Sequence, residues 1–335
     1  MSSETKLVEC VPNFSEGRAA GTIDAIAASI RGVKGAKLLS VEPDKDYNRS
    51  VVTFVGDPAS VVEAAFVATK TAAGLIDMTQ HHGEHPRMGA TDVVPFVPVS
   101  GVTMDECVAL ARSYGSRVGK ELGIPVYLYE EAASTPARKN LSDVRKGEYE
   151  GLAAKLADQA WRPDFGEPAF NPRSGATAAG ARFFLIAYNV NLATSSKEIA
   201  HEIALRIRES GRTKKDPAGN TQKIPGSLKA VKAMGVLLER LNIAQVSINL
   251  TNFNVTPPHA AFEAVKKEAQ SLGTDVTGSE VVGLIPKEAL LKAGSFYSDG
   301  AGGDEHHLIE RAIERLGLSQ IDRFEPEKKV IEFMI

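Results

Sequence analysis

The fold is decided around one polar stretch and the strand that follows it, His81-His82-Gly83-Glu84-His85-Pro86-Arg87-Met88-Gly89-Ala90-Thr91-Asp92-Val93-Val94-Pro95-Phe96-Val97-Pro98-Val99. The polar part carries three imidazoles, two carboxylates and a guanidinium, interrupted by two glycines and a proline. Proline removes a backbone donor and glycine loosens the chain, so residues 81–92 predict a loop. The apolar run 93–99 predicts a short strand. Such a loop is a common position for functional residues, because the scaffold holds it in place.

Outward from this loop, the first half of the chain alternates between strands and helices. Apolar runs predict strands at 7–11, 37–41 and 50–55, and helical periodicity predicts one helix that ends at Gly32 and another over 58–76. The resulting order, β-α-β-β-α-β, is that of ferredoxin-like folds. A helix at 104–122, a strand at 126–129 and short helices between 141 and 156 extend this unit.

The second half shows a similar order of elements. A stretch rich in proline and glycine, 161–175, predicts the connection between two domains, 1–180 and 181–335. Beyond it we expect strands and helices, with Ser195 or Ser196 as the cap of the first helix and a basic, turn-rich segment at 211–226. The predicted strands are 182–191, 244–253 and 279–285, and the predicted helices are 195–210, 227–239, 257–272, 287–293 and 304–316.

These patterns predict an α/β (α+β) protein. We expect two ferredoxin-like βαββαβ-type subdomains, each with helices packed on its sheet, and a ligand cleft between them. The prediction for the second subdomain depends on element order alone, because no sequence identity between the halves is visible.

Composition argues against several classes of protein. A chain of 335 residues is long for one small core, and a net charge of -3 argues against nucleic acid as a partner. Two cysteines, Cys10 and Cys107, are too few for a disulfide framework, and their apolar neighbours indicate buried thiols. No apolar run reaches the roughly 20 residues of a membrane span, and the N-terminus is polar. We therefore expect a soluble cytoplasmic protein.

The histidine loop allows three interpretations from its residues alone. His81 or His82 with His85 and Asp92 could bind a metal, although Pro86 and Gly83 disfavour the helix that would direct two rings at one ion. The histidines could instead be solvated side chains of a surface turn. The third interpretation is general acid–base catalysis, because imidazole titrates nearest neutrality.

Several sequence motifs occur along the chain in the same order as in a known protein family. The chain resembles the glutamate formiminotransferase (formimidoyltransferase) family over nearly its whole length. The motifs that carry the resemblance are Gly83-Glu84-His85-Pro86-Arg87-Met88-Gly89-Ala90, Val8-Glu9-Cys10-Val11-Pro12-Asn13-Phe14-Ser15-Glu16-Gly17, Asn48-Arg49, Leu75-Ile76-Asp77-Met78, Pro125-Val126-Tyr127-Leu128-Tyr129, Pro163-Asp164-Phe165-Gly166 and Ala244-Gln245-Val246-Ser247. In vertebrates this unit is fused to a cyclodeaminase, and since the sequence stops at Ile335 we expect the form without that second activity.

The resemblance implies transfer of a formimino group from N-formimino-L-glutamate to N5 of tetrahydrofolate, as in histidine degradation. It implies that His85 is the catalytic acid and base. A carboxylate should help an amidinium electrophile, and Glu84, Asp92 and Glu42 are candidates. Arg87 and Arg49 either bind the carboxylates of the substrate or form structural salt bridges.

The resemblance also implies two folate-binding segments. Tetrahydrofolate would be a co-substrate, no metal would be needed, and a homodimer is expected. The segments comprise Gly166, Glu167, Pro168, Ala169, Phe170, Asn171, Pro172, Arg173, Ser174, Gly175, and then Gly226, Ser227, Leu228, Lys229, Ala230, Val231, Lys232, Ala233, Met234, Gly235. Residues 213–223 look longer than in the vertebrate relatives, which leaves the position of the second segment open. Lys229 and Lys232 could equally be a solvated helix face.

Three alternatives to this function stay open at the level of sequence. The first is the same fold transferring a formyl group from N-formylglutamate, which needs almost the same cleft. The second is a metal-dependent hydrolase built on His81, His85 and Asp92. The third is a folate-binding protein without catalytic activity.

Overall fold

The computed structural model describes residues 6–45, 47–83, 86–215, 221–239, 241–298 and 303–335. The chain divides into two compact units, Met1–Arg182 and Phe183–Ile335. Among the described helices none is both long enough and apolar enough to cross a membrane.

The first unit is one mixed sheet with helices packed on it. Its strands are β1 (Leu7–Cys10), β2 (Asn13–Phe14), β3 (Ala36–Asp44), β4 (Arg49–Gly56), β5 (Thr91–Ser100), β6 (Val126–Glu130) and β7 (Thr177–Ala181). Its α-helices are α1 (Ala20–Arg31), α2 (Pro58–Leu75), α3 (Met104–Leu122), α4 (Leu141–Arg145) and α5 (Leu152–Ala157).

The strand order confirms the ferredoxin-like plan of this unit. β1 and β2 lie between β4 and β5, and β3 pairs with the other edge of β4, all antiparallel. The order β3-β4-β1-β5 with helices after the first and third strands is the split βαβ arrangement. β7 and β6 then continue the sheet beyond β5 as parallel strands.

The stretch 161–175 is part of the first unit, so the prediction that it connects two domains is wrong. The Val126 amide donates to the Phe165 carbonyl at 2.9 Å, and the buried carboxylate of Asp164 accepts from the Leu128 amide and from Arg138, each at 2.7 Å. Proline and glycine here mark an irregular segment that packs against β6. Sequence reasoning also missed β7, because Thr-Ala-Ala-Gly-Ala has small side chains and no alternation.

Local signals explain the helices that were predicted well. α3 begins with a capping box, in which Thr103 accepts from the Glu106 amide and Glu106 accepts from the Thr103 amide, and it ends at Gly123 in the left-handed conformation. α2 begins at Pro58 after the cap Asp57. The predictions of 104–122 and 58–76 are confirmed to within one residue.

The core of the first unit lies between the sheet and α1, α2 and α3. Phe54, Phe96 and Tyr114 are fully buried there, and the Tyr114 hydroxyl lies 2.6 Å from the Thr69 hydroxyl. Cys10 and Cys107 are free buried thiols, as expected, and burial raises the pKa of each, that of Cys107 to about 12.

The second unit repeats the plan of the first. Its strands are β8 (Ile186–Leu192), β9 (Arg212–Lys215), β10 (Thr221–Ile224), β11 (Val231–Leu238), β12 (Ile243–Leu250) and β13 (Val276–Val282). Its helices are α6 (Lys197–Ile207), α7 (Pro258–Ser271), α8 (Lys287–Tyr297), α9 (Glu305–Leu316) and α10 (Pro326–Lys329).

Four of these strands form an antiparallel sheet in the order β11-β12-β8-β13. β9 and β10, which follow α6, pair with each other as a separate antiparallel sheet.

The predicted helix over 227–239 is wrong, since residues 231–238 form β11. Val231 and Gly235 are buried while Lys232 and Met234 are exposed, which is the period of two that a strand gives. The apolar residues of this segment also fit a helical period, and the sequence could not distinguish the two. The predicted strand over 182–191 begins later than expected, at Ile186.

Candidate active site

His81 has a hydrogen-bond partner at each ring nitrogen. Nε2 lies 2.9 Å from the Asn48 carbonyl oxygen, and Nδ1 accepts from Nε of Arg87 at 3.2 Å. A carbonyl can only accept, so Nε2 carries the proton and the ring is neutral. Burial of the ring lowers the pKa of His81 below its ordinary value of 6.5, because desolvation disfavours the imidazolium. His81 is therefore a structural residue of the loop.

We expect His81 to make stability depend on pH. A histidine whose pKa is lowered by folding binds its proton more readily in the unfolded chain, so the wild type should lose stability as the pH falls below 6.5. Relative to His81→Gln, the wild type should lose at most about 1.4 kcal/mol of its free energy of unfolding for each pH unit. Urea unfolding of both proteins between pH 7.5 and 5.5 measures this. A constant difference between them across that range would contradict the assignment.

Arg87 joins the loop to the turn at 148–150. Its Nη1 and Nη2 donate to the Glu150 carboxylate at 2.9 and 2.7 Å, and Nη1 also donates to Glu148 at 3.2 Å. The Tyr149 amide in turn donates to the Arg87 carbonyl at 2.8 Å. The hydrogen bonds to Glu150 raise the pKa of Arg87, whose side chain is 9% exposed. Of the two predicted roles of Arg87, these contacts favour the structural salt bridge.

Asp92 holds the other end of the loop. One carboxylate oxygen accepts from the Met88 amide at 2.8 Å, the other forms an ion pair with Arg145, and the side chain is 2% exposed. A metal site that included His81 would need the lone pair of its Nδ1, which already accepts from Arg87. Within the described residues, moreover, no group of three or more His, Cys, Asp or Glu could hold a metal ion.

Close contact between two glycines joins the loop to the first predicted folate segment. The Ala90 amide donates to the Ser174 carbonyl at 2.9 Å, and the Ala176 amide donates to the Met88 carbonyl at 3.1 Å. Gly89 and Gly175 form the bridge between them. A Cβ on Gly175, whose φ is +65°, would lie 2.1 Å from the Met88 oxygen, so only glycine permits this approach.

Substitution of Gly175 should measure how strongly this contact fixes the loop. Gly123 is the matched control, because its φ of +63° is similar and no atom lies within 4 Å of a Cβ built there. Gly123→Ala should cost about 1–2 kcal/mol for the left-handed conformation alone. Gly175→Ala should cost clearly more, since the backbone must also separate. Equal free energies of unfolding for the two variants would contradict this account.

The first predicted folate segment, 166–175, has an exposed beginning and a buried end. Phe170 is 38% exposed, and its ring centroid lies 5.5 Å from that of Tyr149. Asn171 accepts from the Ser174 amide at 3.0 Å, and Arg173 donates to the Gly74 carbonyl at 3.1 Å. Apart from the close contact at its end, the segment therefore presents one aromatic ring and the exposed side chains of Glu167 and Arg173.

The second predicted segment, 226–235, is a connection followed by β11. Lys229 is 72% exposed and lies 3.8 Å from Glu209. Ala230 has a φ of +54°, and its amide donates to Glu209 at 2.7 Å. Lys232 is exposed on β11. The alternative that Lys229 and Lys232 share a helix face is wrong, because this segment is not helical.

The structure describes some of the other predicted site residues and not the rest. His85 and Glu84 lie outside the described residues. Glu42 is exposed on β3. Arg49 donates to the Asn13 side chain at 3.0 Å, and its pKa is lowered by burial and by neighbouring Arg145. The carboxylates of Asp92 and Asp44 act on this pKa in the opposite direction.

Sequence reasoning missed the residues that anchor the loop from elsewhere in the chain. Asn48, with a φ of +48°, accepts from the Gly17 amide and donates to the His82 carbonyl, each at 3.0 Å. A pocket of about 500 Å³ lies beside the loop and is lined by His82, Gly83, Arg87, Gly147, Glu148 and Glu150. Gly147 and Glu148, at the turn that meets Arg87, have φ values of +90° and +54°, and nothing in the sequence pairs this turn with Arg87.

Two ferredoxin-like units, the first carrying a histidine loop anchored through both of its ends, define a two-subdomain α/β protein with a candidate acid–base site. Residues 7–182 match the family described as formiminotransferase domain, N-terminal subdomain, and residues 187–335 match the formiminotransferase domain. The chain belongs to the formiminotransferase family. The resemblance inferred from its motifs is confirmed.

Individual relatives agree with this assignment. The chain is 51% identical over 333 residues to a formimidoyltransferase-cyclodeaminase of Dictyostelium discoideum. This match covers 98% of this chain and 60% of the relative. It is 47% identical over 304 residues to a glutamate formimidoyltransferase of Streptococcus pyogenes (91% and 97% covered). It is also 47% identical over 311 residues to one of Thermoplasma acidophilum (92% and 98% covered). The chain thus spans about 60% of the length of the two-activity relatives.

Proposed function

We propose that this chain is a glutamate formimidoyltransferase. It transfers the formimino group of N-formimino-L-glutamate to N5 of tetrahydrofolate, giving 5-formimidoyltetrahydrofolate and L-glutamate, a step of histidine degradation. The similarity to proteins named glutamate formimidoyltransferase over more than nine tenths of the chain supports the activity. The structural observation that carries the proposal concerns the loop 81–92. Ion pairs and hydrogen bonds hold its side chains on both sides of His85 in the sequence, namely His81, Arg87 and Asp92.

The reaction needs two proton transfers, one at each of two nitrogens bonded to the reacting carbon. N5 of tetrahydrofolate attacks the amidine carbon, and a new C–N bond forms. The N5 ammonium must then lose its proton, and the glutamate nitrogen must gain one before its C–N bond breaks. In our proposal His85 takes the first proton as a base and returns it as an acid. His81 is unsuited to this role, because both of its ring nitrogens are already engaged.

The residues that would bind the carboxylates of the two substrates are proposed from the charge of their side chains. The donor carries two carboxylates, and Arg49 is the proposed ligand for one of them, since a guanidinium can donate two parallel hydrogen bonds to a carboxylate. Arg87 is proposed to hold the loop instead. The anionic tail of folate suits the segments 166–175 and 226–235, to which Arg173, Lys229 and Lys232 contribute cations. Tetrahydrofolate is a co-substrate, and the proposal includes a cytoplasmic homodimer without a metal.

Comparison of two donors tests the proposal. Purified chain is incubated with tetrahydrofolate and either N-formiminoglutamate or N-formylglutamate, and kcat/KM is measured for each. We expect the formimino donor to be preferred, because an amidinium is stabilised by carboxylates and a formyl oxygen is not. Preference for the formyl donor would reassign the chain to formyl transfer. Turnover of neither, with tetrahydrofolate still bound, would indicate a folate-binding protein.

A further inference from the structure

The sheet of the second unit has two different faces. Gly235 of β11 lies against the backbone of His201 on α6, and residues of the same face, such as Tyr188 and Val246, are buried. Successive residues of a strand point to opposite faces. The other face therefore carries polar side chains on β8, β12 and β13, namely Asn189, Asn191, Gln245, Ser247, Asn249 and Glu280.

Four paired positions, one on each strand, form a straight row across this face of the sheet. Met234 of β11 pairs with Ser247 of β12, Ser247 with Asn189 of β8, and Asn189 with Glu280 of β13. With neighbouring strands about 4.8 Å apart, the row is about 14 Å long. Lys232 lies two residues from Met234 on the same face of β11. The row thus has a carboxylate at one end and an ammonium near the other.

The carboxylate of Glu280 is held by amides. Its Oε1 accepts from Nε2 of Gln245 at 3.0 Å and from Nδ2 of Asn189 at 2.9 Å. Nε2 of Gln245 also donates to Oδ1 of Asn191 at 2.6 Å. The orientation of Gln245 leaves its own buried Oε1 without a hydrogen-bond partner among the described residues. An ionised carboxylate can only accept, so the amide groups must present their donors to it.

This arrangement fixes one oxygen of Glu280 and leaves the other for a ligand. Within the described residues Glu280 forms no ion pair, and the two side chains that donate to it both donate to Oε1. The residue is half-buried, so water compensates its charge only in part. A carboxylate in such surroundings favours a planar ligand group that offers N–H donors.

We propose that Glu280 binds the 2-amino-4-oxopyrimidine edge of tetrahydrofolate, and that the glutamate tail lies at the opposite end of the row, near Lys232. This inference rests on the proposed function, because it takes tetrahydrofolate as the ligand. The pyrimidine edge offers the N–H donors that Glu280 lacks, and the tail offers the carboxylates that suit Lys232. The amidine of N-formiminoglutamate fits less well, because the carboxylates of that small molecule would come close to Glu280.

Two ligands and three variants test the orientation. The ligands are tetrahydrofolate and 6-methyltetrahydropterin, which has the pyrimidine edge and no tail. The variants are Glu280→Gln, Lys232→Met and the control Glu288→Gln, which removes an exposed carboxylate that pairs with Lys292 on α8. Dissociation constants are measured by titration calorimetry, and thermal unfolding verifies that each variant is folded.

Glu280→Gln should weaken the binding of both ligands by about tenfold or more, as expected for the loss of a charged hydrogen bond. Lys232→Met should weaken tetrahydrofolate only, by up to about fivefold. Glu288→Gln should change neither. Wild-type affinity of Glu280→Gln, or an effect of it on tetrahydrofolate alone, would overturn this inference while the proposed function stands. Failure of the wild type to bind tetrahydrofolate would overturn the proposed function itself.

Discussion

His85→Ala should reduce formimino transfer by about 10²- to 10⁴-fold, the contribution typical of a general acid–base residue. The loss should appear in kcat, because the proton transfers occur in the transition state and not in the binding of either substrate. Steady-state kinetics with saturating tetrahydrofolate and N-formiminoglutamate measures the effect.

His82→Ala is the matched control for this prediction. His82 lies three residues earlier in the same loop, is exposed, and contacts Asn48 only through its backbone carbonyl. Its imidazole can be removed without disturbing that hydrogen bond, so we expect nearly wild-type kcat. A large loss in His82→Ala together with a small loss in His85→Ala would move the acid–base role to His82.

Asp92→Ala should destabilise the first unit by about 3–5 kcal/mol, the usual cost of removing one partner of a buried ion pair. The substitution leaves the charge of Arg145, which is 14% exposed, without its carboxylate, and it removes the acceptor of the Met88 amide. Urea unfolding measures the free energy. Activity should fall as well, because residues 88–92 belong to the same loop as His85.

Glu131→Gln provides the control for Asp92. Glu131 pairs with Lys139 at 3.5 Å, and the two side chains are 36% and 61% exposed. Exposed pairs contribute at most about 1 kcal/mol, so this variant should unfold nearly as the wild type does. Similar free energies of unfolding for Asp92→Ala and Glu131→Gln would show that the Asp92 contact does not hold the loop.

The parts of the fold that sequence predicted well have strong local signals. α3 combines a capping box at Thr103 with a glycine stop at Gly123, and the first half was predicted with the element order of a ferredoxin-like fold. Prediction failed where local signals conflict or are weak. The residues of β11 fit both helical and strand periods, and the small side chains of β7 carry no pattern.

For the candidate site, sequence located the loop but not what holds it. Arg87 and Glu150 are 63 positions apart, and Asp92 and Arg145 are 53 apart, so nothing in the chain order pairs them. The two roles left open for Arg87 could be weighed only once its neighbours were known. Likewise, the proposal that Glu280 binds a ligand depends on its pairing with Asn189 across β13 and β8. Such pairs depend on topology, which sequence periodicity alone does not determine.

Formimino transfer from N-formiminoglutamate to tetrahydrofolate yields two products, and identification of both tests the proposed function. Purified protein is incubated with N-formiminoglutamate and tetrahydrofolate, and 5-formimidoyltetrahydrofolate and glutamate are quantified together. We predict equal amounts of the two products, and no glutamate when tetrahydrofolate is omitted. Release of glutamate without tetrahydrofolate would mean hydrolysis, and it would contradict the account.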